Sequence, residues 1–506
     1  TFRNPDKETV LTPWRVVNMH LGDCLGGYNF FEKDYETTLS EPRFIDHGEV
    51  TANVFAEDSR ILEINSKSGL YPLYMAYSIY RTRVKSSLFS VSSIEDEQRI
   101  WDKVVAENIF VVCKSKMAKS ITKRTLIGFR NAKVNTRYFE DLINQIKNKP
   151  EHFIKQVEKF VSDRTGIKNM KFNAIVGNPP YQVMDGGGTG SSAQAIYNKF
   201  VDIARSIKPR YISMIMPSRW MTGGKGLDKF RESMLNDRRI RNLHDYMDAH
   251  DCFPTVAIEG GICYLTWDKE YEGKCNFVSH AHGEIANTVR FLSDNSTDVV
   301  IREAGVLSIL AKAKSAEEDF STLVSPRNLF KIDASDLEAD CKLSHYKVFG
   351  RFNGTRGYRY IKSYRTMDKR AQRFLGKWKV FVSKADGAAG QLGNPIPARI
   401  IGKTVLGEPQ TICTETFLAI GPFETEREAI NVSKYAETKF FRVLVGARKL
   451  KNMTQDTYSF VPLQDFSPLS DIDWRRSIPE IDQQLYAKYH LTEDEISFIE
   501  SMIKSM

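Results

Sequence analysis

Phe172-Asn173-Ala174-Ile175-Val176-Gly177-Asn178-Pro179-Pro180-Tyr181 is an apolar run that stops on a rigid polar corner. The run has the length and β-branched content of a buried strand. The two prolines restrict the backbone that follows it, so the carbonyl between them keeps one direction. The Asn178 side-chain oxygen and the Pro179 carbonyl are two acceptors on adjacent residues, and Tyr181 adds a flat aromatic face. Two acceptors engage both hydrogens of an amino group and localise its lone pair, and an aromatic ring stacks on a displaced base. The corner therefore suits methyl transfer to an exocyclic amine, a reaction that needs positioning more than a strong base.

Working outward, Arg60-Ile61-Leu62-Glu63-Ile64 reads as a second buried strand and runs into a polar turn, Asn65-Ser66-Lys67-Ser68-Gly69. A helix is expected from Leu70 through Tyr80, a strand over residues 108–113, a helix over 191–207, and strands over Tyr211–Met216 and 260–267. Thr12 is a good helix N-cap, with Pro13 in the first turn. Strands alternating with helices predict an α/β fold built on a doubly wound, mainly parallel sheet. Ligands in such sheets sit beyond the carboxyl ends of the strands, where both the Glu63–Gly69 turn and the Asn178–Tyr181 corner fall. Gly186–Gly190 reads as a mobile loop beside the corner. The alternation fades after about residue 320, so two domains are expected, 1–320 and 321–506. The chain ends in two helices, the last opened by a Thr492/Glu495 capping box.

Charge is segregated along the chain. The formal net charge is +9, yet residues 351–384 alone carry eleven Lys and Arg and one acid, Asp368. Residues 114–137 carry eight Lys and Arg and no acid. Such blocks point to a polyanionic partner. In the first, Arg351, Arg356, Arg359, Lys362, Arg365, Lys369, Arg370 and Arg373 interleave with Phe352, Tyr358, Tyr360 and Trp378, a mixture able to neutralise phosphates and stack on bases. The seven cysteines form no CxxC pair, which argues against a zinc site and fits a reducing cytoplasm. The nine histidines show no metal-binding spacing, and no apolar run reaches membrane-spanning length. Gly223-Gly224-Lys225-Gly226 does not make a P-loop. The chain begins at Thr1 without an initiator Met or signal peptide, and is read as the remainder of a longer protein.

The order of these signals resembles the N6-adenine DNA methyltransferases in which cofactor motif, catalytic motif and target-recognition domain follow one another, enzymes common in restriction-modification systems. Asn178-Pro179-Pro180-Tyr181 matches their catalytic motif in full. The resemblance implies a Rossmann-like methyltransferase domain that binds S-adenosylmethionine (SAM), followed by a mixed α+β recognition domain. It implies methylation of a flipped-out adenine in duplex DNA, a bacterial cytoplasmic setting, and room for a nuclease or helicase module in the same parent protein. By motif position it assigns Thr12, Pro13, Glu63, Asn65, Ser68, Gly69 and Asp141 to the cofactor, and Arg219 of Pro217-Ser218-Arg219-Trp220 to the catalytic pocket and DNA. Trp220 itself reads as core.

Two positions depart from the family pattern. Lys67 stands where the cofactor turn usually has its first glycine, and Cys113 stands where a carboxylate usually grips the ribose. These departures leave open a DNA-binding specificity module with a decayed cofactor site, and the amine-holding corner itself leaves open an amine methyltransferase acting on RNA or protein.

Overall fold

The computed structural model describes residues 11–86, 93–168, 170–183, 194–256, 258–281, 283–293, 297–314, 318–332, 334–338, 346–361, 367–385, 392, 395–449 and 452–506. The Gly186–Gly190 loop, Lys362 and Arg365 lie outside them. By packing, the chain divides into residues 1–300 and 301–506.

The first unit is built on a nine-stranded sheet. In chain order its strands are β1 (Ile61–Ser66), β2 (Ile109–Cys113), β3 (Asn135–Tyr138), β4 (Ala174–Gly177), β5 (Tyr211–Pro217), β6 (Ile240–Tyr246), β7 (Ile262–Asp268), β8 (Cys275–Ala281) and β9 (Glu284–Arg290). Their spatial order is β9-β8-β6-β7-β5-β4-β1-β2-β3. Strands β3, β2, β1, β4 and β5 run parallel. Strand β7 is antiparallel to β5 and β6, β8 is parallel to β6, and β9 closes an antiparallel hairpin with β8.

Alternate residues of these strands feed two cores, one on each face, as the period of two requires. On one face Leu62, Ile64, Phe110, Val112 and Met214 pack with Phe153 and Phe160 of α5 (Pro150–Thr165), Phe200 of α6 (Tyr197–Ile207) and Phe230 of α7 (Asp228–Leu235). On the other, Ile61, Val111, Val176 and Ile215 pack with α1 (Trp14–Leu25), α2 (Leu70–Ser86), α3 (Ile94–Glu107) and α4 (Lys116–Ile127). The α/β class expected from the sequence stands. The differences lie in detail: α2 runs to Ser86 rather than Tyr80, and β3, β6 and the β8–β9 hairpin are additions to the expected strands.

Thr12 is not the cap of α1. Pro13 occupies that position without a side-chain cap, and Thr12 is turned into the site.

In the second unit, β10 (Leu337–Glu338), β11 (Lys347–Phe352), β12 (Thr355–Ile361) and β15 (Thr411–Cys413) form one sheet in the order β10-β12-β11-β15. A second sheet has the order β14-β13-β16, from β13 (Trp378–Ser383), β14 (Val405–Gly407) and β16 (Phe417–Phe423). Phe349, Phe381 and Phe417 share a core, with the Phe349 and Phe381 rings stacked at 5.8 Å. Helix α8 (Ala304–Ala313) belongs here, before the residue-320 boundary drawn from the sequence. Its Lys312 donates to Glu495 Oε2 at 2.6 Å and to the His490 carbonyl at 2.9 Å. Glu495 is in the last helix, α13 (Glu493–Met502), which carries the expected Thr492/Glu495 capping box. Between them lie α9 (Lys369–Leu375), α10 (Glu426–Glu437), α11 (Lys439–Arg448) and α12 (Ile478–Lys488).

Candidate active site

The site forms where β1 and β4 end side by side. The two strands are parallel neighbours in register, Glu63 beside Val176. A Cβ at Gly177 would stand 3.5 Å from Glu63 Cγ, so the two strand ends touch. Pairing between β1 and β2 shifts at Asn65, which takes φ +78°. Asn tolerates this left-handed conformation better than most residues. The shift lifts the turn, and Asn65 Nδ2 donates to the Asn178 carbonyl at 3.3 Å. The Glu63–Gly69 turn and the Asn178–Tyr181 corner are therefore hydrogen-bonded to one another.

Asn178, Pro179 and Pro180 are buried, and Tyr181 is half-buried. Asn178 Nδ2 donates to Thr12 Oγ1 at 2.9 Å. Its Oδ1 is buried without a hydrogen-bond partner among the described residues. A buried amide oxygen left unpaired costs about 1–3 kcal/mol, so its retention indicates an acceptor kept for something else. Tyr181 packs against the core on the α1 and α2 side of the sheet, and burial holds its hydroxyl well above the usual tyrosine range. The four residues line a cavity of about 410 Å³ together with Lys67, Tyr197, Arg219, Lys225, Ile258 and Glu259. That volume is in the range of small-ligand sites. Arg219 is exposed at the end of β5, and the next residue, Trp220, is buried in the core as expected, donating to Cys263 Sγ at 3.4 Å.

The expected cofactor residues divide into two groups. Glu63, Asn65 and Gly69 line the turn itself. Glu63 Oε2 and Asn65 Oδ1 are buried without hydrogen-bond partners among the described residues. Burial pushes the Glu63 carboxyl up to about 8, opposed by the Ser66 hydroxyl and the Lys67 ammonium. Gly69 has φ +78°, and a Cβ there would stand 3.0 Å from Thr122 Cα of α4, so this glycine is required by the close approach. Two orphaned buried oxygens at a tight turn fit a ligand that brings hydrogen-bond donors and positive charge, as SAM does.

The second group sits differently. The Ser68 carbonyl accepts from Thr125 Oγ1 at 2.7 Å, and Pro13 caps α1. Asp141 is exposed, with φ +52°, and accepts from Asn144 at 2.7 Å. Cys113 is fully buried, and burial and the Glu63 carboxylate push its thiol up to about 12. It is a packed, neutral side chain. Lys67 of the cavity lining is visible in sequence only as a departure from pattern. Tyr197, Lys225, Ile258 and Glu259 carry no sequence signal of their own, because the fold brings them in, Tyr197 from the start of α6 and the others from loops.

The basic block proves uneven. Arg351 and Arg356 pair across the β11–β12 hairpin, Arg359 lies 4.6 Å over the Phe352 ring, and Lys369, Arg370 and Arg373 are exposed on α9. Lys379, counted in the block, is an interior group. It is fully buried on β13, donates to the Phe374 and Thr411 carbonyls at 2.5 and 3.0 Å, and burial lowers it to about 8. Lys377 is paired with Glu424.

Residues 107–253, which enclose the corner but not the Glu63–Gly69 turn, match the model of the Eco57I restriction-modification methylase family. A protein of Mycoplasma pneumoniae (strain ATCC 29342 / M129 / Subtype 1) named "Uncharacterized adenine-specific methylase" is 34% identical over 146 residues. Over these residues the chain is similar to adenine methylases of restriction-modification systems. That match covers 28% of this chain and 32% of the Mycoplasma protein, so the chain spans about a third of the length of the curated relative it matches. Among solved structures, the chain is similar to a nuclease-deletion mutant of the Type ISP restriction-modification enzyme LlaGI in complex with a DNA substrate mimic. The TM-score is 0.51 at 10% identity, covering 90% of this chain and 46% of the other. The Type IIL restriction-modification enzyme MmeI in complex with DNA gives 0.49 at 9% identity, covering 88% and 73%. At such identities the likeness to the LlaGI enzyme speaks for the fold. Among the described residues, no group of His, Cys, Asp and Glu could hold a metal ion, and no helix is long and apolar enough to cross a membrane.

Proposed function

We propose that the protein is a SAM-dependent, site-specific DNA methyltransferase that modifies N6 of an adenine swung out of duplex DNA, in a restriction-modification setting. The observation that carries this is the buried, unpaired Asn178 Oδ1 beside Tyr181 at the wall of the cavity. The adenine stacks on the Tyr181 ring. Asn178 Oδ1 and the Pro179 carbonyl accept the two amino hydrogens, which frees the N6 lone pair from the ring. Charge-neutral acceptors suffice, because the amine needs orientation rather than deprotonation before it attacks. A bound SAM would supply the methyl group as a sulfonium electrophile, its sulfur leaving with the bonding pair, and Asn178 and Pro179 would hold the N6 lone pair toward it while the excess proton passes to water.

Residues 1–300 act as a Rossmann-like methyltransferase unit, with Glu63, Asn65 and Gly69 toward the methyl donor. Thr12, Pro13, Ser68 and Asp141 remain candidates there on family resemblance alone. Residues 301–506 act as the DNA-recognition unit. Arg351, Arg356, Arg359, Lys369, Arg370 and Arg373, with Arg219 of the first unit, contact DNA; the charge of the same stretch adds Lys362 and Arg365. Duplex DNA as partner is supported by the family match and by the charge of this stretch. A nuclease module in the parent protein would accord with the LlaGI enzyme, whose structure is that of a nuclease-deletion mutant; a helicase module is the alternative.

The test is Asn178→Ala assayed for transfer of labelled methyl groups to duplex DNA. Loss of about 100-fold or more in rate, with DNA affinity kept, is expected for removal of one of two positioning acceptors. Full activity in this variant would refute the proposal.

A further inference from the structure

Two acceptors select an amino group, but they do not select the base that carries it. Guanine and thymine, with an oxygen in place of the amine, are refused by Asn178 Oδ1 and the Pro179 carbonyl. Adenine and cytosine both bring two amino hydrogens. The bases differ in the ring beside the amine. Adenine has a ring nitrogen with a free lone pair on either side, N1 and N7; cytosine has N3 on one side and a C–H on the other. A hydrogen-bond donor held next to the corner would read such a nitrogen.

The chain that leaves the corner supplies one. Gln182–Val183 pairs antiparallel with Gln194–Ala195, Gln182 opposite Ala195. The next residue, Ile196, donates its backbone N–H to the Tyr181 carbonyl at 3.2 Å. Tyr197, the first residue of α6, is thereby tied to the corner through the backbone, and it lines the same cavity. Its side chain is buried and lies edge-on to Phe230 of α7, with ring centroids 6.2 Å and planes 83° apart. Phe230 packs edge-on against Trp220 at 5.9 Å, so the Tyr197 ring rests on an aromatic stack. The Tyr197 hydroxyl is buried without a hydrogen-bond partner among the described residues. Phenylalanine would fill the same space without burying an unpaired hydroxyl, so the oxygen is kept for a partner that arrives from outside the protein. Burial holds the phenol well above its usual range, so it keeps the proton it would donate.

We propose that Tyr197 is a specificity-determining residue whose hydroxyl donates to a ring nitrogen of the displaced adenine, N1 or N7, while Asn178 and Pro179 hold its amino group. The inference rests on the proposed methyl transfer. It turns a site that reads one amine into a site that reads the base at three points, two acceptors and one donor. It also gives the start of α6 a part in choosing the substrate.

The test pairs Tyr197→Phe with single-atom changes in the base. Duplex DNA holding the sequence that the wild-type protein methylates is made with adenine, 1-deazaadenine or 7-deazaadenine at the target position. Each deaza base keeps the amino group and replaces one ring nitrogen by C–H. Wild type and variant are compared in kcat/KM for methyl transfer, in SAM affinity by calorimetry, and in melting temperature. The wild type should lose about 10-fold or more on one of the two deaza bases, because a buried hydroxyl then meets C–H. Tyr197→Phe should be slower than the wild type on adenine and show no further loss on that same base. Effects of the deaza change elsewhere on the DNA are common to both proteins and cancel in the comparison. The base whose penalty disappears identifies N1 or N7. SAM affinity should be unchanged, and the melting temperature unchanged or higher. The inference is overturned if the wild type tolerates both deaza bases, if the variant keeps the full penalty on each, or if it matches the wild type on adenine. A defect that follows weaker SAM binding, or a lowered melting temperature, overturns it as well, since the hydroxyl would then serve the cofactor or the fold. Wild-type protein that methylates no DNA refutes the proposed function instead.

Discussion

Glu63 is the residue whose chemistry is most displaced by its surroundings. Its carboxyl titrates near 8 in the fold, against an ordinary value of 4.5, because burial penalises the charged form. Between those two pH values the folded protein holds a proton that the unfolded chain has released, so stability must fall as pH rises through that window. Thermal denaturation should show this slope in the wild type and a flatter one in Glu63→Gln. A donor that carries positive charge would favour the ionised carboxylate, so SAM affinity should rise from about pH 6 to pH 8.5 in the wild type and not in the variant. Calorimetry across that range checks it. Glu63 is legible in the sequence as a strand-end acid. The Thr12–Asn178 hydrogen bond is not, because its partners are 166 residues apart and Thr12 reads locally as a helix cap.

At the scale of elements, the site depends on the turn that joins β1 to α2. Gly69 takes φ +78° with the Thr122 backbone 3.0 Å from where a Cβ would be. Gly69→Ala should therefore cost about 1–3 kcal/mol of stability, from backbone strain and the clash with α4, measurable by chemical denaturation. It should also weaken SAM binding, since the turn cannot keep its approach. The turn is readable in Asn65–Gly69 because polar residues and a glycine follow a buried apolar run. Strand β3 is not, since Asn135-Thr136-Arg137-Tyr138 has neither an apolar run nor an alternation and becomes a strand only by pairing with β2. The block 351–384 is readable as charged, but charge does not tell inside from outside. Lys379 alternates into the core between two carbonyls, while Lys369, Arg370 and Arg373 stay on the surface.

For the whole molecule, that contrast separates binding from stability. Arg370→Ala and Arg373→Ala should weaken DNA binding at every sequence and lower the slope of log affinity against log salt by about 0.9 for each phosphate no longer neutralised. Lys379→Met should leave that slope unchanged and lower the melting temperature, because two buried carbonyls lose their donor. Fluorescence anisotropy over a salt series and thermal denaturation distinguish the two. The central claim is that the corner Asn178–Tyr181 methylates adenine in DNA. Its most direct measurement is mass spectrometry of nucleosides from duplex DNA incubated with SAM and the protein, wild type beside Asn178→Ala. The account predicts N6-methyladenine from the wild type and none above background from the variant; equal yields from both, or methylation confined to another base, would contradict it.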